Sequence, residues 1–321
     1  MVAKVSILSI TMGRLKQSQT MDFSIVIATY DRWELLRGLL SSIREHFDGS
    51  GVEHEVIVAN NSRNVVISKK IEQVVEGFRR SGRAEFRIVD EPLAGKCRAQ
   101  NAAIKLARGE IIAFFDDDVV VTPEWLKVAE YFFKHETFDV MQGPILVPPE
   151  IEHDENFIRA QRKFRTINFV KYPSGLKEIK TLTGANMAVR REMFSKIGAF
   201  NEELGPGRSG ISEDVEFAKR VLKAGGRIGY EPRAAVYHIV DWSRLTEEFF
   251  RDRHEQQGRS RLIYKKQSLT SIVPNLLRSV WTLAWYSMMG DVRKKYRAKG
   301  RYFHYRAMLA EKTKTSSRVQ V

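Results

Sequence analysis

Four apolar runs, each followed by a helical pattern, fall within roughly 110 residues, and this alternation limits the fold more than any other feature of the chain. The runs are Asp22–Thr29 (DFSIVIAT), Glu55–Ala59, Glu85–Val89 and Ile111–Phe115. Their near-continuous apolar character suits strands buried on both faces of a parallel sheet. Between them, Trp33–Phe47 places Leu35, Leu36, Leu39, Leu40 and Ile43 at helical spacing. Helical patterns also run over Ile71–Arg80 and Arg98–Ala107, the latter stopped by Gly109. Thr122-Pro123 reads as the next helix start, with threonine as N-cap and proline at the first helical position. The pattern predicts an α/β protein with a doubly wound, Rossmann-like sheet, whose ligands bind beyond the carboxyl ends of the strands.

Tyr30-Asp31, Asn60-Asn61 and Asp116-Asp117-Asp118 lie at such ends and should converge on one crevice. Three adjacent carboxylates repel one another unless a cation intervenes. A divalent ion such as Mg²⁺ or Mn²⁺ meets that need and bridges to substrate phosphates. The plainer alternative is a solvated acidic turn.

After about residue 138 the alternation weakens. Pro144, Pro148 and Pro149 interrupt FDVMQGPILV, and 150–178 is polar with a weak helical pattern. Thr181–Val189 reads as a strand leading into a short helix that ends at Gly198. A glycine-rich loop, Leu204–Gly210, precedes Ser212-Glu213-Asp214 and a helix carrying Val215, Ala218, Val221 and Leu222 on one face. A mixed sheet edge is expected here.

Ser212-Glu213-Asp214 at a helix start has two readings. Acids there complement the helix dipole, with Ser212 as N-cap; or a carboxylate beside a glycine-rich loop acts as general base on an acceptor hydroxyl. His238 ends a β-branched run as a structural residue, or as a metal ligand alongside Asp118. Gly95-Lys96-Cys97-Arg98 precedes a helix, where amides and basic side chains receive phosphate, or is solvated surface.

The ordered series SIVIATYDR, EVIVANNS, GKCRAQNAAIKLARGE, IIAFFDDDV, GANMAVRREMF, SEDVEF and AVYH resembles the family 2 glycosyltransferases with the GT-A fold, over about residues 22–240. The resemblance implies that Thr29, Tyr30 and Asp31 line the nucleotide end, with Asn60 beneath the base; Lys96 and Arg98, from their place before a helix, are the candidates for phosphate. Asp116 and Asp118 match the family's DxD. Asp118 then ligates a divalent Mn or Mg cation with Asp116 and His238, and Asp117 or Asp116 contacts ribose. Asp214 matches the catalytic base of an inverting transfer. Where the family often ends its second strand in two acids or an Asp-Asn pair, this chain has Ala59 and Asn60; an amide both donates and accepts, so UDP and dTDP donors both stay open. A sugar-phosphate nucleotidyltransferase would carry a glycine-rich loop after the first strand, which TYDRWELL lacks. A catalytically inactive nucleotide-binding scaffold on the same fold is the remaining rival.

The net charge is +14, and residues 244–321 hold 18 Lys/Arg against six Asp/Glu, so the base sits in the tail. Such asymmetry points to an anionic surface. Pro274 and Arg278 interrupt SIVPNLLRSVWTLAWYSMMG, leaving an uncharged stretch from Ser279 to Gly290 too short to span a bilayer. Trp281, Trp285 and Tyr286 followed by DVRKKYRAKGR suit a helix lying on an anionic membrane. The alternatives are packing on the catalytic domain or in a homodimer, and, without a recognition motif, a nucleic-acid-binding tail. No orderly signal peptide is visible, and the single cysteine, Cys97, suits a reducing compartment. The expectation is a cytoplasmic enzyme, peripheral on the inner face of the cell membrane, acting on a glycan or lipid-linked acceptor. Its parts would be an extension at 1–21, a catalytic domain at 22–240 (nucleotide-binding half 22–120, acceptor half 121–240) and a basic helical region at 241–321.

Overall fold

Seven apolar-rich residues, Phe23–Thr29, form β1, and the sheet grows outward from it. The computed structural model describes residues 22–81, 84–173 and 175–318; the expected extension at 1–21 lies outside them. After β1 come α1 (Trp33–Phe47), β2 (His54–Asn60), α2 (Val65–Ser81), β3 (Glu85–Asp90), α3 (Lys96–Leu106), β4 (Ile111–Asp116) and β5 (Val119–Val121). Next are α4 (Trp125–His135), β6 (Val140–Gln142), β7 (Ile145–Leu146), α5 (Pro149–Glu152), α6 (Glu155–Phe164), β8 (Glu178–Ile179), β9 (Asn186–Arg190) and α7 (Arg191–Ile197). The chain continues with α8 (Glu213–Lys223), β10 (Ile228–Tyr230), β11 (Val236–His238), α9 (Glu247–Tyr264), α10 (Leu269–Met288) and α11 (Val292–Arg318).

The main sheet has the order β3-β2-β1-β4-β9-β6-β10-β8. β3, β2, β1 and β4 are parallel, whereas β9 runs antiparallel to both β4 and β6. It is therefore the mixed α/β sheet expected. β5, β11 and β7 form a second, three-stranded sheet. Its β5–β11 pairing sets His238 opposite Val119, next to the acidic turn that follows β4.

Two departures from the sequence reading have local causes. α2 begins six residues early because Asn64 caps it, its Oδ1 accepting from the amides of Val66 and Ile67 at 3.0 and 3.3 Å. Val65 and Val66 are exposed, so that first turn has no core-facing periodicity. Thr122 is not the cap of α4, which starts at Trp125; its hydroxyl donates instead to the Ala235 carbonyl at 2.9 Å, tying the small sheet together.

Trp125 is fully buried under the sheet, edge-on to Phe115 at 4.8 Å and stacked on Phe47 at 6.0 Å. Its indole N–H donates to Asn186 Oδ1 at 2.8 Å, and the Asn186 amide donates in turn to the carbonyls of Pro144 and Ala234. One buried side chain thus satisfies partners from three separate segments.

The C-terminal helices are anchored by a smaller core in which Phe157, Phe164, Val240, Leu245 and Phe250 meet Tyr296 and Phe303. α10 runs unbroken through Pro274, the sixth residue of the helix, where the missing N–H costs one i→i−4 hydrogen bond, the one to Thr270. Among the described residues, no helix is long and apolar enough to cross a membrane.

Candidate active site

Parallel strands bring Thr29 of β1, Asn60 of β2 and Asp116 of β4 to one edge, with Thr29 opposite Asn60 and Ala28 opposite Asp116. Beyond that edge opens a cleft of about 980 Å³. Thr29, Tyr30, Lys96, Asp116, Asp118 and Asp214 all line it. Asp31, Asn60, Arg98, Asp117 and His238 do not line it, and their partners show what they do instead.

Asn60 is fully engaged. Its amide donates to Ser68 Oγ and Asp90 Oδ1 at 2.7 and 2.8 Å, and its Oδ1 accepts from the Ser62 amide. Asp31, held at φ 58°, accepts from Ser62 Oγ at 2.5 Å. Together they shape the turns that follow β1 and β2. Asn61, expected in the crevice together with Asn60, is the member of the pair that lines the cleft. Arg98 pairs with Glu202 at 3.5 Å, on the packing side of α3.

The amides before α3 are not open to phosphate. Gly95 N donates to Asn61 Oδ1 and Lys96 N to the Pro206 carbonyl, both at 2.9 Å. A side chain at Gly207 (φ 82°) would put its Cβ 2.9 Å from Gly95 N, so the glycine loop can lie flat on this turn only without one. What α3 offers the cleft is the Lys96 ammonium. It donates to Asp116 at 2.5 Å and lies 3.4 Å from Glu213. Burial disfavours both charges, but the mutual attraction prevails: Asp116 sits below the usual carboxylate range and Lys96 above the usual ammonium range.

The three carboxylates have separate environments. Asp117 is fully buried, accepts from Thr29 Oγ1 at 2.7 Å and pairs with Arg32. Burial is the dominant influence and, with Asp118 adjacent, pushes it up to about 7 against the pull of Arg32. Asp118 receives Arg32 and Arg244 on the same oxygen, Oδ2, at 2.9 and 3.0 Å. Its Oδ1 is buried without a hydrogen-bond partner and lies 3.6 Å from His238 Nε2.

The His238 ring is oriented by its other nitrogen, Nδ1, which lies 2.8 Å from the Ile239 carbonyl. A carbonyl can only accept, so Nδ1 carries the proton. In the neutral ring Nε2 then presents a lone pair toward an orphaned carboxylate oxygen. Two buried acceptors facing one another suit a cation between them. Among the described residues no group of three His, Cys, Asp or Glu side chains forms a ready cluster. Asp118 and His238 could thus supply two ligands of a site that would need others from a substrate.

Asp214 sits in the first turn of α8, across the cleft. It accepts from the amides of Gly184 and Val215 at 3.1 and 2.7 Å. Burial, reinforced by Glu213, pushes it up to about 7 against Lys96 and these amide bonds. Ser212 does hold the N-cap position, in the left-handed region at φ 81°, but its hydroxyl makes no cap bond.

Arg32 and Arg244 were not singled out from the sequence. Arg32 directly follows Tyr30-Asp31, so its place at a strand end was a usable signal. Arg244 gave none. It follows the last strand, and only the fold brings it 126 positions back to Asp118. α9 adds Phe249, Asp252, Arg253, Gln256 and Arg259 to the same wall.

Comparison with known proteins agrees with this geometry. Residues 24–198 match the model of Glycosyl transferase family 2. The chain is 27% identical over 271 residues to succinoglycan biosynthesis protein ExoM of Rhizobium meliloti, covering 83% of this chain and 81% of that protein. It is 28% identical over 121 residues to the Staphylococcus aureus poly(ribitol-phosphate) β-N-acetylglucosaminyltransferase TarS, a match spanning 38% of this chain and 20% of TarS. A mannosyltransferase from Pyrobaculum calidifontis superposes with TM-score 0.59 at 16% identity, over 92% of this chain and 87% of that one. TarS residues 1–349 superpose with TM-score 0.53 at 17% identity, over 88% and 91%. With a matching family model across more than half its length and a GT-A sheet whose strand ends meet in one cleft, the chain belongs to the family 2 glycosyltransferases.

Proposed function

We propose that the protein transfers a sugar, with inversion, from a pyrimidine nucleotide-sugar (UDP or dTDP type) to a hydroxyl of a glycan or lipid-linked acceptor. The observation that carries this reading is Asp214, a carboxylate pushed up to about 7, on a cleft shared with Asp118 and Lys96. A carboxylate that titrates near neutrality is about half ionised at pH 7 and basic enough to take a proton from an acceptor hydroxyl. The amides of Gly184 and Val215 hold its two oxygens, so the base meets the acceptor from a fixed position.

Opposite it, Asp118 and His238 would hold a divalent cation, with Asp116 beside them tied to Lys96. When bound, the ion neutralises charge on the departing nucleoside diphosphate. Lys96, Arg32 and Arg244 surround the same end and add fixed positive charge where negative charge develops. Thr29 and Tyr30 line the end assigned to the nucleotide, and Asp117, held by Thr29 and Arg32, supports that floor from beneath. Structures of TarS with UDP-GlcNAc and with UDP, and of the Pyrobaculum mannosyltransferase with GDP-Man and Mn²⁺, support a nucleotide-sugar donor with a metal.

Residues 22–240 make the catalytic domain in this reading, with one wall of its cleft supplied from 241–321. Peripheral attachment to the inner face of the cell membrane is supported by the exposed α10 stripe of Leu269, Val273, Leu277, Trp281, Trp285 and Met288. That stripe is followed by the basic start of α11.

The deciding experiment is a thermal-shift screen of UDP, dTDP, GDP and ADP, each with Mn²⁺, with Mg²⁺ and with EDTA. A ligand that binds only the folded state raises its apparent stability. A shift for one pyrimidine nucleotide that EDTA abolishes is the expected result. No shift with any nucleotide would overturn the donor assignment and favour the inactive scaffold.

A further inference from the structure

On α9 the cleft-lining residues Phe249, Asp252, Arg253, Gln256 and Arg259 are spaced three and four apart and share one face. The cations around the cleft are mostly paired. Lys96 holds Asp116, Arg32 and Arg244 hold Asp118, Arg208 holds Glu203, and Arg259 lies 3.8 Å from Glu255. Arg253 differs. Its Nη2 donates to Asn168 Oδ1 at 2.6 Å, and among the described residues no carboxylate pairs with it. Arg63 is also without a carboxylate partner, but it is exposed on the turn after β2, where water compensates its charge.

Arg253 is half-buried in the wall. Burial and the nearby Arg244 disfavour its charge, while Asp214 and Glu213 act in its favour from a distance. The same face of α9 packs on the loop that leads to Asp214, where a Cβ on Gly210 would meet the Gln256 side chain, so the carboxylate neighbours of Arg253 are those of the base. Asn168, itself on the cleft, spends Oδ1 on Arg253 and keeps both Nδ2 hydrogens as donors without a partner among the described residues. A guanidinium with spare N–H groups beside an amide donor matches a carboxylate or phosphate, whose two oxygens accept in parallel. A neutral sugar brings only hydroxyls and leaves the charge uncompensated.

We propose that Arg253 and Asn168 form an anion subsite on the acceptor side, which selects acceptors carrying a carboxylate or phosphate near the reacting hydroxyl. The inference rests on the reading above in one respect: Asp214 marks the acceptor side. Discrimination follows from the cost of leaving the guanidinium unpaired when a neutral acceptor binds.

The test uses the full chain preloaded with UDP and Mn²⁺, at constant ionic strength. Methyl glucuronide, methyl glucoside 6-phosphate and neutral methyl glucoside are titrated while stability is followed. The two anionic glycosides should stabilise the wild type and the neutral one should bind about 10- to 100-fold more weakly, the range for losing a charge-assisted hydrogen bond. Arg253→Gln should erase the difference between anionic and neutral probes while retaining the UDP shift. Arg253→Lys, which keeps the charge without the fork, should retain part of it.

Stabilisation by methyl glucoside equal to that by the anions would overturn the subsite, as would no effect of either anion on the wild type. Loss of the UDP shift in Arg253→Gln would assign the residue to the donor instead. If UDP with Mn²⁺ fails to shift the wild type, the donor reading fails, and the glycoside titrations on the unliganded protein still judge the subsite.

Discussion

His238 Nε2 and Asp118 Oδ1 lie 3.6 Å apart, buried, with the only fixed imidazole proton directed away to the Ile239 carbonyl. The contact joins the acidic turn after β4 to the last strand of the small sheet, and β5–β11 pairing sets it. With the ring neutral it is a relationship between two acceptors, which makes cation binding directly testable.

His238→Ala should weaken the Mn²⁺-dependent part of nucleotide binding by at least about 10- to 100-fold, the cost of losing merely an outer-shell partner of a metal ligand. Asp118→Asn should abolish it. Titration of the nucleotide with and without EDTA reads both. EDTA-sensitive binding that survives unchanged in Asp118→Asn removes that residue from the metal site.

Asp214→Asn should keep the nucleotide shift and lose transfer by about 10²- to 10⁴-fold. In the wild type, kcat/KM should rise with pH up to about 7 and level off above, as the base ionises. The stability effect has the opposite sense. The carboxyl titrates near 7 when folded and near the ordinary carboxylate value when unfolded, so the folded state binds the extra proton between those limits. Stability from this group therefore falls as pH rises through that window. Asp117 is raised too and acts in the same direction. Denaturant midpoints measured across pH should slope less in Asp214→Asn, and an unchanged slope would count against the raised value.

Asn186→Ala should destabilise the fold by about 3–5 kcal/mol, because it strands the Trp125 indole and two carbonyls inside the core. Urea unfolding followed by Trp fluorescence gives the number. A loss below about 1 kcal/mol would mean that water replaces the amide.

Leu277→Glu combined with Trp281→Glu should leave the fold within about 0.5 kcal/mol of wild type, since both side chains are roughly two-thirds exposed. Binding to phosphatidylglycerol vesicles should fall by about 10²- to 10⁴-fold, given about 1.5–3 kcal/mol for each large apolar side chain withdrawn from lipid. Unchanged co-sedimentation would exclude this face as the membrane contact. A wild-type dimer that the substitutions dissociate would make the face an interface between copies.

The main strands were legible because burial on both faces leaves Ile25–Ile27, Val56–Val58 and Ile111–Phe115 no choice but apolar side chains. Trp33–Phe47 matched residue for residue, since one face meets the sheet and the other meets water. Asp118, Lys96 and Asp214 were legible as polar residues at strand ends and helix starts, and the cleft gathers all three. The role of α9 was not. Its cleft-facing side is polar, so nothing in the sequence sets Asp252, Arg253 and Gln256 apart from an ordinary solvated helix. Asn60 misled in the opposite way, standing at a strand end yet consumed by Ser68, Asp90 and the Ser62 amide.

The bond from Arg244 to Asp118 spans 126 positions, and the α9 wall arrives later still. Domains tend to fold from the N-terminus as the chain is synthesised. The sheet from β1 to β4 has all its strands long before Arg244 leaves the ribosome. Until then Asp118 lacks one of its two guanidinium partners and the cleft lacks a side. A complete cleft is thus a late event in the life of each new chain, reached only when the C-terminal helices have docked.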